Sequence, residues 1–211
     1  MTMLSRNDQK GRSMVEMLGV LAIIGVLSVG GISGYSKAMA KFKLTKAQDQ
    51  ITMLLMNIRT AFATSPSYDG LNTANSRAFN IAPGDMWDAA SGLNNAFGGK
   101  AYVYACNDAT DAANGAKTCT EVDSNIASGT TDVQYFAITL TRLGREACVS
   151  IASSDWGTDG LIGMVVKATD GDANPDDSKI NLAATLPINM IDAGKKCCKS
   201  GSYNTITWVY Y

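Results

Sequence analysis

The chain has 211 residues, with 18 Lys and Arg against 19 Asp and Glu, five cysteines, four prolines and no histidine. That length suits one globular domain plus an anchor, while the lack of histidine removes the commonest general base and the commonest transition-metal ligand. Residues 1–65 hold 8 basic and 3 acidic side chains, and residues 66–211 hold 10 and 16, so the acidic second part argues against a sequence-independent nucleic-acid binder, which needs a basic face.

In chain order, a polar leader, residues 1–11, ends at Gly11. A long apolar run follows, and its only charge past the start is Glu16. From Met17 to Ser36 there are twenty residues without charge or proline, and roughly 20 apolar residues cross a bilayer core as a helix. An ordinary secretory signal has its small-residue cleavage site after the apolar stretch. Here the candidate cut lies before it, so the apolar run stays with the mature chain. A carboxylate at the head of such a segment is costly and marks a functional position. The plain reading of the run is a single-pass anchor. Lysines and arginines flank it on both sides and do not orient it; the cysteines, all C-terminal to it, place the N-terminus on the cytoplasmic side.

From Ser13 to about Thr64 there is no proline, and Pro66 is a sensible stop. One helix of about 50 residues would be about 75 Å long. Its first half, residues 12–36, is apolar all round. Its second half, residues 37–65, becomes one-sided, with Leu44, Ala47, Ile51, Leu54, Leu55, Ile58 and Phe62 recurring at steps of three and four. Such a stripe predicts a helix with one face buried against a core. Lys41, Lys46, Asp49, Asn57 and Arg59 largely fall away from it. Gly19, Gly25, Gly30, Gly31 and Gly34 allow close helix approach in the apolar half.

After Pro66 the texture is richer in glycine, asparagine, serine and aspartate. Residues 66–100 read mainly as loop with small helical or strand pieces. Strands are predicted at Ala101–Ala105, Val133–Thr141, Leu161–Ala168 and Ile206–Tyr210, the last rich in β-branched and aromatic residues. Leu143–Ser154 reads as a second helix. The fold class is α+β: a long N-terminal helix packed on an antiparallel sheet in a head spanning residues 66–211.

Beyond a membrane, the cysteines read as disulfide formers. Cys106 and Cys119 bracket a Gly/Asn/Asp-rich loop and are expected to form a local bridge. Cys148 is expected to pair with one of the adjacent Cys197 and Cys198. Asp170, Asp172, Asn174 and Asp176 place oxygen ligands at alternate positions, as a calcium loop does. Pro175 replaces the usual glycine and Asn181 the usual glutamate, so the plainer reading is an acidic hydrated turn. No phosphate loop, no Gly-x-Ser-x-Gly elbow and no other catalytic constellation is present; the chain reads as a non-enzyme without a cofactor, calcium aside.

The run Gly11-Arg12-Ser13-Met14-Val15-Glu16-Met17-Leu18, with the apolar helix behind it, resembles the class III signal of type IV prepilins. The resemblance implies cleavage after Gly11 by a prepilin peptidase, leaving Arg12 first and Glu16 fifth in the mature chain. It also implies methylation of the new N-terminus, and there Arg12 departs from the large apolar residue usual in the family. Glu16 would then pair with the N-terminal amine of a neighbouring subunit, with the Arg12 guanidinium as a second partner. The implied fold is the pilin fold. The implied life history runs from the inner membrane, through assembly machinery, into an extracellular homopolymeric filament. The segments Cys148–Gly157 and Cys198–Trp208 are similar to those of type IVb pilins of the conjugative-plasmid kind, and this likeness points to Cys198 rather than Cys197. A pseudopilin of a type II secretion system is the nearest alternative, and a membrane-anchored binding protein the alternative of a different class.

Overall fold

The computed structural model describes residues 14–89, 92–110, 117–121, 133–157, 160–169, 180–181, 188–196 and 203–211. The chain divides into two compact units, Met1–Lys41 and Phe42–Tyr211. One helix, α1 (Met14–Ala61), runs through the boundary.

In the first unit α1 carries nothing buried: Met17, Leu18, Val20, Leu21, Ile23 and Ile24 are all exposed, as are Val26, Leu27, Val29 and Ile32. By length and composition the helix can cross a membrane. The expected start and end of the helix, Ser13 and about Thr64, come within a few residues of the observed ones. It closes where Phe62 N–H still donates to the Ile58 carbonyl and Ser65 N–H to the Phe62 carbonyl, just before Pro66 ends the ladder.

In the second unit α1 buries Ala47, Ile51, Leu54 and Ile58, and Leu44, Leu55 and Phe62 pack half-buried against the same core. The steps of three and four predicted this face. Gln50 is buried too, which the apolar pattern did not predict. Lys46, Asn57 and Arg59 do not simply fall away from the stripe. Lys46 pairs with Asp85 at 2.7 Å, Asn57 Nδ2 donates to the Ile81 carbonyl at 2.9 Å, and the Arg59 guanidinium lies 5.8 Å from the centre of the Tyr210 ring.

The 66–99 connection has two 3₁₀ turns, Asn75–Arg77 and Gly84–Met86, and a two-residue strand β1 (Leu93–Asn94). It is long for a connection and is held by its own bonds. Tyr68 N–H donates to the Val133 carbonyl, Ala105 N–H to the Leu71 carbonyl, and Thr73 exchanges bonds with Val103. Leu71, Ile81, Met86 and Leu93 are buried beneath it, so a stretch that reads as loop adds to the core.

The remaining elements are β2 (Lys100–Thr110), β3 (Lys117–Glu121), β4 (Tyr135–Leu143), α2 (Arg145–Ala152), β5 (Leu161–Thr169), β6 (Ile180–Asn181), α3 (Met190–Lys196) and β7 (Tyr203–Tyr210). All four predicted strands are present: β2, β5 and β7 extend further than predicted, β4 is shifted two residues on from the predicted 133–141, and the predicted second helix is α2. The strands β3 and β6 and the helix α3 were not predicted; they are short or polar and give little periodicity, while β1 is one of the small pieces expected within 66–100. The sheet order is β5-β7-β4-β2-β3-β6, with β1 also on β2, and every pairing is antiparallel. The α+β class read from the sequence is the observed one.

The last strand in sequence, β7, sits inside the sheet between β4 and β5. Its Ile206, Trp208 and Tyr210 join the core shared with α1, together with Phe136, Ile138 and Leu140 of β4 and Ala101 and Val103 of β2. The alternate residues form a second buried layer of Tyr104, Cys106, Ala137 and Val209. There the Thr139 and Thr207 hydroxyls bond each other at 2.8 Å, so a polar pair buried between central strands is satisfied. An irregularity in β4 between Leu140 and Leu143 puts Arg142 at φ 56°. Gly99 packs against this kink so closely that a Cβ there would run into the Thr141 carbonyl.

Candidate functional site

Glu16 lies in the first turn of α1 and is exposed. A carboxylate there is favoured by the helix dipole. Gly11 and Arg12, where the sequence places the cleavage, lie outside the described residues. Downstream of Glu16 the side chains are apolar on every side of the helix and exposed by 48–75% from Met17 to Ile32. That band is larger than soluble monomers carry exposed, and each such side chain gains about 1.5–3 kcal/mol when fully covered. An added Cβ at Gly19, Gly25, Gly30, Gly31 or Gly34 would meet nothing within 4 Å. These positions are open grooves where another helix can come close.

The second half of α1 is fixed to the head by a polar edge as well as by its apolar stripe. Gln50 Nε2 donates to Asp85 Oδ2 at 3.3 Å, and its Oε1 accepts from Ala96 N–H at 3.1 Å. The Lys46 ammonium, hydrogen-bonded to Asp85, holds that carboxyl below its ordinary value against the opposing effect of burial. Further along, Lys100 Nζ bonds Asp88 at 2.7 Å and Asn94 at 3.0 Å, tying the 66–99 connection to β2. The sequence carried a signal for Gln50 in its spacing: three residues after Ala47 and four before Leu54, it falls on the buried stripe. Its polar side chain hid that position from an apolar count.

Of the cysteines, Cys106 is buried in β2 and disulfide-bonded. Cys119 lies in β3, where the register sets it opposite Asp108 while Cys106 faces Glu121. Cys148 is buried in α2 as a thiol, so the expected bridge from it to Cys197 or Cys198 is not formed in the structure. Cys197 and Cys198 lie outside the described residues, as do Asp170, Asp172, Asn174 and Asp176 of the acidic loop. Among the described residues no group of three or more His, Cys, Asp or Glu side chains could hold a metal ion.

No protein-family model matches the chain. Two relatives from Escherichia coli, O111:H- and O127:H6, are each described as the major structural subunit of bundle-forming pilus. Each is 24% identical over 207 residues, covering 97% of this chain and 96% of the relative. Among solved structures, a type IVb pilin from Salmonella typhi matches with a TM-score of 0.46 at 20% identity, over 80% of this chain and 97% of that one. TcpA, a type IV pilin from Vibrio cholerae El Tor biotype, matches at 0.48 and 14% identity, over 80% and 99%. Along nearly the whole chain this protein is thus similar in sequence to major structural subunits of pili, as the resemblance read from the sequence implied.

Proposed function

We propose that this chain is a structural pilus subunit, a pilin that enters a helical extracellular filament through the first half of α1. The observation that carries this reading is the unbroken helix Met14–Ala61, apolar all round in one half and buried by a single stripe in the other. A plain anchor needs only the first half. A subunit that must leave lipid and be held by like helices needs an apolar surface that suits either environment, with grooves at small residues.

In this proposal a prepilin peptidase cuts after Gly11, and the chain waits in the inner membrane with its head outside the cytoplasm. The new amine of Arg12 is available for methylation and for pairing with Glu16 of a neighbouring subunit, which sets the axial register. Assembly machinery supplies the work, since no part of this chain reads as a catalytic site. Cys106, which is disulfide-bonded, takes Cys119 as its partner. The four segments are the leader 1–11, the filament-core helix 12–36, the amphipathic helix 37–65 and the head 66–211. End-to-end similarity to major pilus subunits supports the pilin over a secretion pseudopilin.

The test is filament entry. The chain would be co-expressed with a type IVb assembly system, and sheared filaments examined by electron microscopy and by blot for this chain. Wild type should enter filaments; Glu16→Ala should be processed and folded yet stay in the membrane. A wild-type chain that is processed but never found in filaments would count against the proposal.

A further inference from the structure

Between Met14 and Lys41, within the first unit, the charged residues are Glu16 near one end of the apolar run and Lys37 and Lys41 at the other. Both lysines are on α1 and exposed. They stand four residues apart, so one helical turn separates them and they share a side of the helix. Tyr35, just before them, is 68% exposed. In sequence the charge beyond them stays positive: Lys43 and Lys46 come next, and the first carboxylate after Glu16 is Asp49.

Depth along the helix decides what this pair meets. The twenty residues Met17–Ser36 rise about 30 Å, the thickness of a bilayer's hydrocarbon core. Lys37 then begins the headgroup layer, and Lys41 follows about 6 Å further along the axis. That layer is itself about 5–7 Å deep on each side. Both ammonium groups therefore fall at the level of the lipid phosphates, with Tyr35 at the edge of the core, where aromatic residues anchor a span. Lysines at this end also run against the bias that gathers Lys and Arg at the cytoplasmic end of a span. With the head outside the cytoplasm, as proposed above, orientation does not account for them.

We propose that Lys37 and Lys41 clamp the phosphate of an anionic phospholipid in the leaflet at the C-terminal end of the span. The contact rests on the membrane stage of the function proposed above, and not on filament entry. A zwitterionic headgroup carries its own ammonium, which repels the two lysines, so a net-anionic lipid is selected. Each lysine close to an anionic surface raises association about fivefold. The contact holds the chain in the bilayer before assembly, and extraction from lipid must break it.

The experiment is native mass spectrometry of the full chain in a neutral detergent, with phosphatidylglycerol and phosphatidylcholine added in equal amounts. The species carrying one phosphatidylglycerol should outnumber that carrying one phosphatidylcholine by about fivefold or more. Raising the ionic strength should shrink the ratio. Lys37→Gln/Lys41→Gln should bring it close to one without moving the melting temperature of the head, since both positions are exposed. Lys195→Gln, an exposed lysine of α3, should leave it. Equal counts of the two lipids on the wild-type chain would overturn the proposal, as would a preference that persists in the double variant. Carbonate extraction of membranes from cells expressing the chain tests the span separately. A chain released by carbonate would overturn the membrane stage and this contact together, whereas a retained chain with equal lipid counts would overturn the contact alone.

Discussion

Leu54 is fully buried on the stripe that fixes α1 to the head, while Met53, its neighbour in sequence, is 52% exposed. Replacing Leu54 by alanine removes three carbons from the core, about 2.4 kcal/mol at ~0.8 kcal/mol for each. If roughly half the vacated space fails to collapse, the remaining cavity adds about 1 kcal/mol. Leu54→Ala should therefore destabilise the head by about 3–4 kcal/mol, whereas Met53→Ala should stay within about 0.5 kcal/mol of wild type. Tryptophan fluorescence in a denaturant titration reads this directly. All three tryptophans, Trp87, Trp156 and Trp208, lie in the second unit, and Trp208 is buried with its ring 5.1 Å from that of Trp156. The first unit carries no tryptophan, so detergent around its helix does not obscure the signal. Equal effects of the two substitutions would refute the assignment of this face as the buried one. So would a Leu54→Ala loss below about 1 kcal/mol.

Other expectations follow from single contacts. Gly99→Ala should cost more than about 2 kcal/mol, because the new Cβ meets the Thr141 carbonyl and the Arg142 Cβ at the β4 kink; a melting temperature equal to wild type would count against this packing. Burial pushes the Tyr210 phenol from 10.0 up to about 12, with Arg59 opposing. The folded state therefore holds this proton more tightly than the unfolded chain. Stability should be full below about pH 10 and fall by roughly 2–3 kcal/mol as pH rises to about 12. Tyr210→Phe should remove that alkaline loss at little cost, since among the described residues the buried hydroxyl has no hydrogen-bond partner; an unchanged alkaline limb would contradict it. At the acid end, the Lys46 hydrogen bond holds Asp85 below the ordinary carboxylate value. Its contribution is present above that ordinary value and lost as pH falls through the lowered one. Lys46→Met should flatten this part of the acid limb, measured by melting temperature against pH, and an identical limb would show that the pair contributes nothing.

How far the sequence could be read depended on which physical signal each part carries. The helix and its buried face were legible because apolar residues at steps of three and four, with no proline before Pro66, leave little freedom. The strands β2, β4, β5 and β7 were legible from β-branched and aromatic runs. Their order was not: β7 lies between β4 and β5, a pairing of segments distant in the chain that no local pattern encodes. The 66–99 connection read as loop because its structure rests on single bonds such as Thr73 to Val103 rather than on a period. Gln50, Lys46 and Asn57 were read as solvent-facing or passed over. What makes them structural is the position of Asp85, Ala96 and Ile81, which comes from elsewhere in the chain. Glu16 stood out for the opposite reason, since a charge on an all-apolar helix is conspicuous without any fold.

The measurement that tests the pilin account most directly is the N-terminal sequence and intact mass of the chain after co-expression with a prepilin peptidase. The account predicts a mature chain beginning at Arg12, with cleavage abolished by Gly11→Val and retained in Glu16→Ala. A chain that still begins at Met1 or Thr2 beside an active peptidase would contradict it, leaving Met17–Ser36 as an anchor alone.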